Sequence, residues 1–224
     1  MRQIILDTET SGLDFENDRI IEVGCLELID NLYTGKKFHR YYKPDNILIT
    51  KESEEIHGLN NNFLSQYPTF DKDIEDFLSF IDNCQIIIHN AQFDLNMINH
   101  SLKRLSKKEI DKSSALCTLE IAKKKFPGSK NNLNALCRRF DISLDSREKH
   151  GALTDSFLLM QVYNELLGGK QQALQLNPQK TEINYNHKIN LEKDNLRLIV
   201  LDKDEIDKHS KMMKKIKNSI WQSF

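Results

Sequence analysis

The stretch Ile4-Ile5-Leu6-Asp7-Thr8-Glu9-Thr10 decides how this chain folds. Ile4, Ile5 and Leu6 read as a buried strand, and the period of two along a strand sends Asp7 and Glu9 to the same side at its end. Carboxylates that close repel one another, and more strongly where water is excluded. Two other stretches also set an acid beside an apolar element: His89-Asn90-Ala91-Gln92-Phe93-Asp94 and His150-Gly151-Ala152-Leu153-Thr154-Asp155. Together Asp7, Glu9, Asp94 and Asp155 are tolerable only if divalent cations neutralise them, which points to metal-assisted phosphoryl chemistry.

The last stretch carries its own geometric clue. His150 and Asp155 are five residues apart, roughly 140° around a helix, so they cannot share a helical face. His150 therefore belongs to the loop before the helix. Asp155 aligns with Leu159, Val162 and Leu166, the stripe that a helix turns toward a core. This suits Asp155 as a metal ligand and His150 as a mobile base reaching the same place. Each acid has a plainer use: turn chemistry for Asp7 and Glu9, a helix amino terminus for Asp94, a satisfied core carboxylate for Asp155. Their order, in strand, strand-to-helix turn and helix, favours one shared site.

Along the chain, residues 3–6, 19–29 and 38–42 look like three strands joined by turns. An amphipathic helix over 71–81 follows, then a buried strand over 85–88 and a helix over 93–105. Helices over 116–126 and 133–140 are separated by Pro127-Gly128. Strands first, then strand and helix in alternation, give an α/β layer fold with a mixed sheet. From 177 to 195, Asn, Lys, Gln and Glu dominate and the segment reads as a flexible linker. Order should resume over 196–201, followed by a Lys-rich helical segment to Trp221. Ile206, Met213, Ile216 and Trp221 are too few for a core, so this segment should fold on a partner.

With 224 residues, 39% hydrophobic and 29% charged, the chain can bury one substantial core. A net charge of −1 excludes a globally basic nucleic-acid binder and leaves that task to a local patch or to metal bridging. Cys25, Cys84, Cys117 and Cys137 lack metal-site or CxxC spacing and read as reduced core residues. No apolar run approaches the roughly 20 residues of a membrane span, so the expectation is a cytoplasmic protein with no membrane partner.

The acid and histidine set resembles the 3′-to-5′ exonucleases that use four acids and a histidine: Asp7 and Glu9, then Asp94, then His150 with Asp155. Asp7 to Leu13 (DTETSGL), Arg19 to Gly24 (RIIEVG), Ile56-His57-Gly58, Asn132 to Phe140 (NLNALCRRF) and His150 to Gly169, ending in Leu166-Leu167-Gly168-Gly169, are similar to the proofreading epsilon-subunit family of bacterial DNA polymerase III. At Cys117, before Thr118, that family carries an acid, outside the catalytic set. The resemblance implies a ribonuclease-H-like fold with a flexible tail: an exonuclease domain over 1–170, a linker over 171–195 and a polymerase-docking segment over 196–224. It implies two divalent cations, Mg²⁺ or Mn²⁺, held by Asp7, Glu9 and Asp155 with Asp94 in support, and His150 as base. Glu52 and His57 would contact the terminal nucleotide of a single-stranded or frayed 3′ DNA end, with Leu13 and Phe93 against its base. Partners implied are the polymerase alpha subunit through the tail and possible binding of a small accessory subunit to the catalytic domain. Gln171, Leu174 and Leu176, in Gln171 to Leu176, resemble the peptide that docks into the sliding clamp. A free-standing exonuclease of RNA ends or short oligonucleotides and a non-catalytic replisome scaffold remain alternatives.

Overall fold

The first strand continues past its acids. β1 spans Arg2–Thr10, so Asp7 and Glu9 sit inside a strand rather than beyond its end. The computed structural model describes residues 1–145, 147, 149–169 and 202–215. β2 (Ile20–Ile29) pairs antiparallel with β1 along its whole length, from Arg2 opposite Ile29 to Thr10 opposite Ile20, which is what keeps the polar stretch extended. β3 (Leu32–Tyr41) returns beside β2 through Asp30 and Asn31 at φ 51° and 65°. Two residues at positive φ make the hairpin turn whose twist matches its strands. β3 begins ahead of the expected residue 38 because its first six residues are exposed, and no buried alternation marks them.

The chain then forms α1 (Lys51–His57), α2 (Asn61–Leu64), α3 (Phe70–Phe80), β4 (Gln85–Ile88) and α4 (Ala91–Arg104). The expected helix over 116–126 is corrected at its start. Ala115–Cys117 is the edge strand β5, and the helix, α5, covers Thr118–Lys125. Three strand residues are too few to display a period of two, so the apolar pair Leu116-Cys117 could not be told from helix. α6 (Leu133–Arg139) and α7 (Ala152–Leu166) complete this unit.

The sheet order is β3-β2-β1-β4-β5, with β4 parallel to β1 and β5 parallel to β4. It is the mixed sheet expected, and helices cover both faces. Ile4, Leu6, Ile86 and Ile88 pack with α3 and α4 through Phe77, Leu95 and Ile98. Ile5 and Ile87 pack on the other face with α6 and α7 through Leu136, Leu159 and Val162. Strand parity therefore turns Asp7 and Glu9 to the α7 face and Thr8 to the α4 face. All four cysteines are free thiols; Cys25 and Cys137 are buried as expected, while Cys84 and Cys117 are only half-buried.

One glycine sets the distance between α7 and the sheet. Gly24 lies directly opposite Asp7 on β2, and a Cβ there would meet the Ala152 carbonyl carbon at 2.3 Å and the Leu153 nitrogen at 2.4 Å. Ser156 Oγ donates to the Gly24 carbonyl at 2.9 Å and closes the contact. Backbone on backbone at this range is possible only without a side chain.

The chain divides into two units, Met1–Leu174 and Gln175–Phe224. In the second, α8 (Lys203–Met213) starts with a capping box in which Asp202 and Glu205 satisfy each other's backbone N–H groups. Ile206 and Met212 are each about half exposed, and no residue of α8 is buried. The expected strand over 196–201, the linker, Gln171, Leu174, Leu176, Ile216 and Trp221 lie outside the described residues. Among the described residues no helix is long and apolar enough to cross a membrane.

Substituting Gly24→Ala should force the first turn of α7 off the sheet and destabilise the protein by about 1–3 kcal/mol, the usual cost of overpacking. Urea unfolding of the variant against the parent protein measures it; equal midpoints would show that the α7 contact yields without cost.

Candidate active site

β4 pairs with β1 only from Gln3 to Ile5, so beyond Leu6 the β4 side of β1 is open. The chain leaves β4 at Ile88 and turns through Asn90 at φ 64° into α4, whose first turn carries Asp94 back to the opening. Asp94 Oδ1 accepts the Thr8 N–H at 3.1 Å and the Thr8 hydroxyl at 2.6 Å. It thus occupies the place where a neighbouring strand would have satisfied Thr8. Asp94 reaches the site from the α4 side, and Asp7 and Glu9 project to the other.

On that other side, the contact at Gly24 seats α7 so that Asp155, 3% exposed, comes down over Asp7 and Glu9. His150 is in the loop before α7, with its side chain 43% exposed, and its Nδ1 lies 3.2 Å from Asp155 Oδ2. Glu9, His150 and Asp155 each offer one ligand atom, all within 4.8 Å of one another. Asp7 and Asp94 stand outside that tightest group, yet Glu9, Asp155 and Asp94 all act on Asp7, and Asp94 acts on Glu9.

The electrostatics show what the cluster lacks. Burial, and then Asp94, Glu9, Asp155 and Glu22 in turn, push Asp7 well above the ordinary carboxylate range. Glu9 is pushed up to about 8 by burial and then by Asp155, Glu22 and Asp94, with Arg147 pulling the other way. Asp94 is raised to about 7 by burial, against the two hydrogen bonds from Thr8. Carboxylates so placed ionise together only beside concentrated positive charge. Glu9 Oε1 and Asp155 Oδ1 are buried without any partner, as oxygens kept for a cation would be. Oxygen donors with a histidine at the rim suit a hard divalent ion such as Mg²⁺ or Mn²⁺. The residues present therefore fit the metal that the sequence suggests.

The expected substrate residues divide. His57 ends α1 and is 6% exposed rather than facing solvent; its Nδ1 accepts the Leu59 N–H at 3.0 Å, and its Nε2 is buried without a partner. Burial holds its pKa below the usual imidazole value. The His150 N–H donates to the Ile56 carbonyl at 3.1 Å, which ties the loop that carries His150 to α1. Glu52 lies in the exposed first turn of α1, whose cap is Thr50. Leu13 is 81% exposed in the bend after β1, and Phe93 is half-buried against the α4-side core.

Three participants escape the sequence pattern. Glu22, 3% exposed, lies directly opposite Glu9 and bonds His39 Nε2 at 2.8 Å, a fifth carboxylate at the site. Its signal was an acid inside the apolar run Ile20-Ile21-Glu22-Val23. Arg147 contacts Asp155 and His150, and Thr8 holds Asp94. Neither an arginine in a polar loop nor a threonine in a strand stands out in sequence.

Comparison with known proteins bears on the family and the fold. The exonuclease (RNase T) family profile matches residues 4–163. DNA polymerase III subunit epsilon of Rickettsia felis is 40% identical over 223 residues, covering 96% of this chain and 97% of the relative. The subunit of the same name from Escherichia coli K12 is 39% identical over 178 residues, 75% of this chain and 72% of the relative. Among solved structures, exonuclease X in complex with 5′ overhanging duplex DNA superposes with a TM-score of 0.58 at 22% identity, over 74% of this chain and 90% of that one. The zinc-bound E. coli exonuclease I complex with single-stranded DNA gives 0.66 at 16% identity, over 76% and 41%. These likenesses carry the fold, and the sequence matches carry the family: the chain belongs to the exonucleases, among the DNA polymerase III epsilon subunits.

Proposed function

We propose that this protein is the 3′-to-5′ proofreading exodeoxyribonuclease of a replicative DNA polymerase, releasing mispaired terminal nucleotides as nucleoside monophosphates. The observation that carries it is the pair of partnerless buried oxygens, Glu9 Oε1 and Asp155 Oδ1, inside a cluster of acids with a half-exposed histidine at its rim. Asp7, Glu9 and Asp155 would hold Mg²⁺ or Mn²⁺, with Asp94 supporting a second ion. Such ions supply an activated water and offset charge on the scissile phosphate and the departing 3′ oxygen.

The chain's own residues do the rest. His150 takes the proton of the attacking water, and its exposed ring can turn toward solvent to release it. His57, through the unpartnered Nε2, and Glu52 bind the terminal nucleotide, with Leu13 and Phe93 against its base. A mispaired end is preferred because it is already frayed and skips an unpairing cost of a few kcal/mol. In the tail, the unburied Ile206 and Met212 of α8 support docking onto the polymerase alpha subunit. Gln171, Leu174 and Leu176 would engage the sliding clamp.

Asp7→Ala or Asp155→Ala should abolish hydrolysis of a 3′-mispaired DNA primer, and His150→Ala should lower kcat by about 10²–10⁴. Retention of more than about a tenth of the rate in saturating Mn²⁺ by either aspartate variant would contradict the ligand assignment. The same assay on an RNA primer separates proofreading from the processing of RNA ends.

Metal-free stability should depend on pH in a defined direction. Glu9, ordinarily at 4.5 and here at about 8, and Asp94, ordinarily at 3.8 and here at about 7, both favour the folded state while protonated. Their contribution is complete below the ordinary values and is lost as pH rises through about 7 to 8. Thermal unfolding in EDTA should show Tm falling as pH rises from about 5 to about 8, within the interval between the ordinary and the raised values, and Mg²⁺ should raise Tm more at the alkaline end. A Tm in EDTA that stays level would refute the charge-repulsion account.

Cutting the chain after Asn177 should leave activity on a short primer nearly intact and remove binding to the polymerase. Alanine at Gln171, Leu174 and Leu176 should weaken clamp binding alone. Pull-downs with the alpha subunit and the clamp check both, and a truncated protein that retains alpha would move the docking surface to the catalytic domain.

A further inference from the structure

The two oxygens of Asp155 have different surroundings. Oδ1 is buried without a partner, whereas Oδ2 accepts from Arg147 Nη2 and lies 3.2 Å from His150 Nδ1. The Arg147 side chain is 5% exposed, as is that of Asp155. Its Nη1 donates to Asn134 Oδ1 on α6, and its Nη2 also stands 2.8 Å from His150 Nδ1. One planar guanidinium therefore ties α6, the loop that carries the base, and α7 together. A charge this deeply buried persists only when its partners are held in good geometry.

We propose that Arg147 is a positioning residue for the hydrolysis: by holding Asp155 through Oδ2 and steadying the His150 ring, it leaves Oδ1 oriented toward the metal. The proposal rests on the metal-dependent reading given under Proposed function. A ligating carboxylate gains affinity when an outer partner fixes its rotamer, and loss of such a partner costs about 10–100-fold in metal binding. Arginine suits the task because its rigid fork meets several acceptors at once, which one ammonium group does not. A guanidinium that merely stood in for the metal would act in the opposite sense, since removing it would tighten metal binding.

The test is a Mn²⁺ titration of the full chain by calorimetry, with wild type, Arg147→Met, Arg147→Lys and Asn134→Ala, each verified as folded by its thermal transition in EDTA. Arg147→Met should bind Mn²⁺ about 10–100-fold more weakly. Arg147→Lys should remain close to it despite the retained charge, and Asn134→Ala should show a smaller loss of the same sign. In steady state, kcat at limiting Mn²⁺ should fall in proportion and recover at high Mn²⁺, with KM for single-stranded DNA unchanged. If Arg147→Met does not fold, the lysine and Asn134 variants carry the same comparison. Unchanged or tighter Mn²⁺ binding, or a kcat loss that Mn²⁺ does not restore, would overturn the role. A wild-type protein that binds no Mn²⁺ would instead overturn the metal site itself, and the role of Arg147 with it, so the two failures are distinct.

Discussion

Repulsion among carboxylates buried together is the constraint on which the rest of this structure depends. Asp7, Glu9, Asp94, Asp155 and Glu22 converge where water is scarce, and burial is the first cause of every upward shift among them. A fold assembles such a cluster only by stabilising it elsewhere. Here the extended ladder between β1 and β2 and the two apolar layers on either face of the sheet supply that stability. Local partners soften it further: the Arg147 charge at Asp155, and hydrogen bonds from His39 to Glu22 and from Thr8 to Asp94.

The sheet does more than support the acids, because its irregular edge creates the site. β4 withdraws after its pairing with Ile5, and the resulting gap admits the first turn of α4 from one face while α7 settles on the other. Strand parity then sorts the residues: odd positions of β1 meet α7, and Thr8 meets α4. The groups that would hold metal thus come from both faces of one sheet and meet around its open edge. A cluster built on a single face would lack that edge as an entrance.

Much of this was legible in the sequence, and the remainder was not for identifiable reasons. The stripe of Asp155, Leu159, Val162 and Leu166 was visible because helical periodicity and burial coincide there, and each of those residues is buried. The acids were visible because a carboxylate beside an apolar run contradicts its surroundings. β5 and the first half of β3 were misjudged where a strand is short or exposed, since periodicity then has nothing to report. Arg147 was invisible for a different reason. Its importance comes from contacts with Asn134, His150 and Asp155, and no local pattern encodes a side chain that bridges separate elements.

The backbone hydrogen bond from His150 to the Ile56 carbonyl carries a consequence for the proposed proofreading. With the proposed roles, it would fasten the proton acceptor to the helix that ends in His57, so that a nucleotide shifting α1 would also shift the base. Recognition and proton transfer would then share one lever arm, and a poorly seated end would be penalised twice, first in occupancy and again in turnover. Discrimination by such a lever multiplies rather than adds. A modest selectivity at each step would therefore compound into the large preference for frayed ends that the proposed function requires.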